Sequence, residues 1–153
     1  MSSNSPFNKI WNNKNINDFI IAMDDWVGEK CDYGKKIELL SDAEKTFYYN
    51  QILEREVNNG GYSQFFFNDS GTYCYEILDS LCEIGATRTA EIHRKALEAF
   101  GDKNPKSCEE RQSTLDDIDN VLSECDREFY QYQDDLNELN YQFVLKNKTQ
   151  FTA

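Results

Sequence analysis

Proline occurs twice and histidine once in 153 residues, and strand-like alternation is nearly absent. With only seven glycines as further breakers, the chain reads as helices joined by short connections. Tyr-Gln-Phe-Val-Leu at 141–145 is the one β-like run, and its helical surroundings demote it. The expected fold is all-α: a single domain over residues 16–148 with about six to eight helices and no significant sheet, a loose arm at 1–15 and a tail at 149–153. No run approaches the roughly 18 apolar residues that a membrane-spanning helix needs. The opening Met-Ser-Ser-Asn-Ser-Pro lacks the apolar stretch of a secretory leader. Cys31, Cys74, Cys82, Cys108 and Cys125 are odd in number and include no C-x-x-C pair. Free thiols in a reducing cytosol are therefore expected, and with one histidine no metal site and no cofactor.

Basic residues are also short. Sixteen Lys and Arg stand against 28 Asp and Glu, for a net charge of -12. The surplus is concentrated, because residues 108–145 hold eleven acids and two bases. Such a surface repels nucleic-acid phosphates and anionic membranes, and attracts a basic protein over a Debye length of roughly 8 Å.

What the chain does have is helical periodicity. Phe19, Ile20, Met23, Trp26 and Val27 mark one face of a helix from about Asn17 to Lys30. Ahead of it, Phe7, Ile10 and Trp11 are apolar enough to dock as a short turn. Ser41-Asp-Ala-Glu44 is a capping box that opens a helix running to about Asn58. Asn58, Asn59, Gly60 and Gly61 end it, since they tolerate positive φ, and Tyr62, Phe65, Phe66 and Phe67 follow as an aromatic plug for the core. Glu54 and Glu56 lie at the unfavourable negative end of that helix, which calls for an Arg or backbone donors to hold them. A helix from Thr72 to about Ile84 turns Tyr75, Leu78, Leu81 and Cys82 inward. The next carries Ala90, Ile92, His93, Ala96, Leu97 and Phe100. Ser107-Cys-Glu-Glu110 is a second capping box, opening one helix with Leu115, Ile118, Val121, Leu122 and Cys125 on one side. At 100° per residue Glu109, Glu110, Asp116, Asp117 and Glu124 fall opposite, with Asp119 at the flank. A separate short turn is expected over Asp126–Tyr132, then a final helix with Leu136, Leu139, Tyr141 or Phe143, and Val144.

Few of these residues form a recognisable reaction centre. His93 sits among Ile92, Ala96 and Leu97 and reads as structural. Asp116-Asp117-x-Asp119 lacks the glycine and terminal glutamate of a calcium loop, and Gly60-Gly61 lacks the Lys-Ser/Thr of a phosphate loop. No catalytic residue is assigned. Two readings fit the acidic face: a solvated surface that keeps the chain soluble, or rows of carboxylates standing in for phosphates in the basic groove of a partner.

Glu54-x-Glu-Val-Asn-Asn-Gly-Gly-Tyr-x-Gln-Phe-Phe-x-Asn68, then Ser70-Gly71, Ile84-Gly-Ala86, Arg111 and Asp126-x-x-Phe-Tyr130, resembles the family of small acidic bacterial proteins typified by the nineteen-kilodalton DNA-mimic protein. The resemblance covers roughly residues 40–145, and its core is Asn58, Asn59, Gly60, Gly61, Tyr62, Gln64, Phe65, Phe66 and Asn68. It implies an all-helical domain and, from the typifying member, a dimer whose negative surface imitates duplex DNA and sequesters a helix-turn-helix transcription regulator. The motif specifies the aromatic corner, and the surface carboxylates are set elsewhere in the sequence. The expectation is a non-enzymatic protein that presents Glu109, Glu110, Asp116, Asp117, Glu124, Asp134, Asp135 and Glu138 to a basic protein partner, a DNA-binding regulator in the mimic reading. One rival is an immunity or antitoxin-like protein that neutralises a basic toxin. Another is an enzyme using Glu54, Glu56, Asn58 and Gln64. A third gives the acids only a solubility role and places function elsewhere, for example at Tyr130 and Tyr132.

Overall fold

A computed structural model describes residues 5–153, all of whose regular structure is helical. Eight α-helices follow one another: α1 (Pro6–Trp11), α2 (Ile16–Lys30), α3 (Asp42–Phe67), α4 (Cys74–Glu83), α5 (Thr87–Glu98), α6 (Cys108–Thr114), α7 (Asp119–Phe129) and α8 (Leu136–Lys146). Short 3-10 turns occupy Ile37–Leu39, Asp69–Tyr73 and Lys148–Gln150. The 141–145 run lies inside α8. By contacts the chain groups into two compact units, one made of the residues up to Tyr48 with Leu136–Ala153 and the other of Tyr49–Asp135.

In the discontinuous unit, α2 packs against α1 and α8. The Asn15 side chain caps α2 by accepting from the Asp18 N–H at 3.0 Å. Phe19, Ile20, Met23 and Val27 are buried as the periodicity predicts, and Phe19 meets Tyr141 edge-on at 5.0 Å. The capping box forms in both directions: Glu44 N–H donates to Ser41 Oγ at 3.1 Å, and Ser41 N–H donates to Glu44 Oε1 at 2.9 Å. Lys30 closes an ion pair of 2.9 Å on the buried Glu44. Residues 5–11 of the arm expected to be loose are folded, and the tail is anchored at Phe151. Ser5 Oγ caps α1, Ile10 is buried, and Phe151 is buried edge-on against Phe47. Their apolar side chains outweigh the polar composition around them. The first four residues of the expected arm lie outside the described residues.

In the Tyr49–Asp135 unit, α5 packs against both α4 and α7. Its core is Tyr62, Phe65, Phe66, Phe100 and Phe129 around His93. Three expectations need correction here. The aromatic plug is itself helical, the last part of α3, and Phe67 is 56% exposed, because helical spacing turns it away from Tyr62, Phe65 and Phe66. In α4 the buried face is Cys74, Ile77 and Leu81, while Tyr75 and Cys82 are exposed. Two apolar stripes overlap in that short sequence, and the one that continues to the buried Ile84 is the one used. Finally, the single acidic helix from Ser107 is two helices, with a tight turn over residues 115–118, and α7 continues to Phe129 through the segment expected to be separate. Ser113 Oγ and Thr114 Oγ1 both donate back to the Glu110 carbonyl, at 3.2 and 2.6 Å, a competition with the backbone ladder that bends helices.

Candidate functional site: a clasped helix break and its acidic neighbours

The Asn-Asn-Gly-Gly segment breaks α3 and restarts it at once. Gly60 and Gly61 are non-helical, at φ -160°, ψ 21° and φ 73°, ψ -178°, so the residues on either side expose unpaired carbonyls and amides. Two residues of the Asp126-x-x-Phe-Tyr130 segment supply partners for both ends. Tyr130 Oη donates to the Val57 carbonyl at 2.6 Å before the break, and Asp126 Oδ1 accepts from the Tyr62 N–H at 2.7 Å after it. Phe129 lies between them in sequence and packs edge-on to Tyr62. A second clasp crosses the break along α3: Glu56 Oε2 accepts from Gln64 Nε2 and from Asn68 Nδ2, each at 2.9 Å. Glu56 is therefore held by side-chain amides, not by the Arg or backbone donors expected. Asn58 Nδ2 donates to Tyr132 Oη at 2.7 Å. Of the rival grouping Glu54, Glu56, Asn58 and Gln64, the last three are thus brought close to the break as cross-links, and Glu54 lies beside Tyr132.

Where α3 finally ends, Arg111 takes over. Fully buried, it donates from Nε to the Phe66 carbonyl at 2.6 Å, from Nη1 to that of Pro105 at 3.0 Å and from Nη2 to that of Asn68 at 3.3 Å. Gly71 leaves room for it, since a Cβ there would sit 2.6 Å from Arg111 Nε. Glu56, Val57, Tyr62, Gln64, Phe66, Asn68, Gly71, Arg111, Asp126 and Tyr130, all quoted for the sequence resemblance, meet in these clasps. Asp126 was quoted in the motif without a role. Its signal was its spacing from Phe129 and Tyr130, which one α-helix turns toward the same neighbour.

His93 is buried, with Nε2 2.7 Å from the Cys74 carbonyl and Nδ1 3.1 Å from Tyr62 Oη. A carbonyl only accepts, so Nε2 carries the proton and Tyr62 donates to Nδ1. Burial lowers the imidazole from its ordinary 6.5 to about 4. The folded state therefore resists protonation, and its contribution is complete above pH 6.5 and lost as the pH falls toward 4. About 3 kcal/mol of stability is expected to disappear by pH 4. Asp126 runs the other way, because burial pushes its carboxyl above the usual range, against the Tyr62 N–H that lowers it. Urea titrations at several pH values check this, and His93→Gln, which keeps a donor for Cys74 but does not titrate, is expected to flatten the acid limb.

The sequence-chosen acids separate into different environments. Thr89 N–H and Oγ1 both donate to Asp134 Oδ2, at 2.7 and 2.8 Å, which makes Asp134 a cap for α5. Glu124 shares Lys95 with Glu128, at 3.3 and 3.5 Å. Glu138 accepts from Gln142 and belongs to the discontinuous unit with α8. Asp135 is exposed at the end of the other unit. Glu109 and Glu110 sit in the first turn of α6, where negative charge suits the helix dipole. The second capping box is half formed: Ser107 Oγ accepts from the Glu110 N–H at 3.3 Å, but the Ser107 N–H is taken by the Asn104 carbonyl. Asp116 and Asp117 lie on the turn between α6 and α7, and Asp119 opens α7. No ion pair within the described residues reaches Glu109, Glu110, Asp116, Asp117 or Asp119.

Asp116 and Asp119 border a shallow depression of about 500 Å³ floored by Phe67 and Leu115, with Ser63, Gln64 and Asn68 on its rim. The periodicity set Asp119 at the flank of an acidic face and the aromatic run set Phe67 in the core; that the two share a depression follows only from the end of α3 lying beside the α6–α7 turn. The Tyr130 and Tyr132 rings are partly exposed, but both hydroxyls are engaged by the clasp. All five cysteines are free thiols, and burial raises Cys74 and Cys125 to about 11. No helix among the described residues is long and apolar enough to cross a membrane.

The family model described as DMP19-like protein matches residues 38–147. Among curated proteins and among solved structures, nothing matches.

Proposed function

Since this chain belongs to the DMP19-like protein family, we propose that it is a non-enzymatic binding protein whose acidic surface occupies the basic DNA-binding face of a protein partner. One observation carries the reading. In the segment that holds eleven acids and two bases, Arg111 is buried on carbonyls and only Arg127 remains at the surface as a cation. Five acids from Glu109 to Asp119 have no ion-pair partner within the described residues, whereas Glu76, Glu91, Glu124 and Glu128 each have a nearby Lys or Arg. A surface evolved only for solubility gains most from interspersed signs. One that repels DNA and attracts a DNA-binding protein gains from a single sign.

The test is capture of partners from cytosolic extract by the immobilised protein, followed by titration of the purified complex. A DNA-binding protein is expected, with affinity falling roughly tenfold or more between about 50 and about 200 mM salt and with duplex DNA displacing the acidic chain. Salt-independent binding, or DNA and this chain held together on the same groove, would exclude mimicry. A captured toxin would move the reading to the immunity class.

A further inference from the structure

Resting on the basic-partner reading, we infer that the depression between the end of α3 and the α6–α7 turn is a receptor for one arginine side chain of that partner. The floor is aromatic and apolar: Phe67, the last residue of α3, is 56% exposed beside Leu115. A partner that covers this ring gains the free energy of burying its apolar area. The walls are anionic, since Asp116 and Asp119 are exposed and no cation of the described residues pairs with them. The rim offers an acceptor. Asn68 turns its NH2 group to Glu56, which leaves its amide oxygen to offer, whereas Gln64 Oε1 lies over Gly60. A flat apolar ring below and oxygen acceptors around suit a planar cation with several donors. Guanidinium stacks on an aromatic face and donates in a fork, and a lysine ammonium does neither as well.

This site differs in kind from a phosphate imitation. Carboxylates alone attract any cation in proportion to charge, and a duplex backbone has no aromatic floor between its phosphates. The depression therefore selects within basic surfaces, favouring an arginine projecting from a loop or helix over an equally charged lysine.

The test compares hexa-arginine and hexalysine peptides of equal charge, titrated into the folded protein at low and moderate salt, with binding located by chemical-shift changes at Phe67 and Leu115. The arginine peptide is expected to bind roughly threefold or more tightly than the lysine peptide. Phe67→Ala and the more conservative Phe67→Leu are each expected to bring that ratio to about one. Asp116→Asn with Asp119→Asn is expected to weaken the arginine peptide roughly fivefold. Circular dichroism melts confirm that the variants are folded. Equal binding of both peptides with steep salt dependence overturns the arginine site and leaves the basic-partner reading standing. No binding of either peptide overturns both, and an arginine preference that survives Phe67→Leu overturns the site as drawn here.

Discussion

Replacing Arg111 with methionine is expected to lower the unfolding free energy by about 4 kcal/mol, read as a shift of the urea midpoint at unchanged slope. The guanidinium holds the Phe66, Asn68 and Pro105 carbonyls together. Methionine fills much of the volume, so the loss isolates the hydrogen bonds from the packing. Removing them strands buried acceptors at the end of α3 and in the loop before α6, and each stranded group costs about 1 to 3 kcal/mol. Arg111→Lys is expected to recover only part of the loss, because one ammonium cannot span acceptors arranged for a fork. A midpoint for Arg111→Met within experimental error of the parent would show that the carbonyls find water or other donors.

Gly61→Ala is expected to cost about 3 kcal/mol, from two causes that add. At φ 73° and ψ -178° the backbone is in a region essentially reserved for glycine. A Cβ there would also collide with the Asp126 carboxylate, which cannot withdraw without surrendering the Tyr62 N–H. Gly85→Ala provides the control: its φ is also positive, at +81°, but nothing lies near the added carbon. It is expected to cost about 1 kcal/mol, the conformational part alone. Equal losses at the two positions would show that the Asp126 clasp does not constrain the break.

Local patterns were legible where one stretch of sequence contains the whole interaction. The Ser41–Glu44 box and the buried Phe19, Ile20, Met23 and Val27 of α2 are of this kind, and they appear as read. The all-helical class follows from the same signals. What sequence did not disclose depends on partners far along the chain. The carboxylate of Asp134 looks like one more surface charge until Thr89, 45 residues away, is placed on it. Tyr130 reads as an exposed aromatic until its hydroxyl reaches Val57, 73 residues away. The acidic stripe was projected on an unbroken helix, and the bend after Thr114 invalidates the angular arithmetic beyond that point. Phe67 was assigned to the core because it follows Phe65 and Phe66, yet the restarted helix sets its direction.

The discontinuous unit also fixes an order of events during synthesis. Tyr49–Asp135 has all of its own partners once residue 135 has left the ribosome, whereas α2 must wait for α8, more than a hundred residues later. The usual sequence, in which the N-terminal part of a chain settles first, is therefore reversed. For that interval the apolar face of α2, with Phe19, Ile20, Met23 and Val27, lacks the cover that α8 supplies. The nascent chain therefore offers this face to aggregation and chaperone binding until α8 has been made.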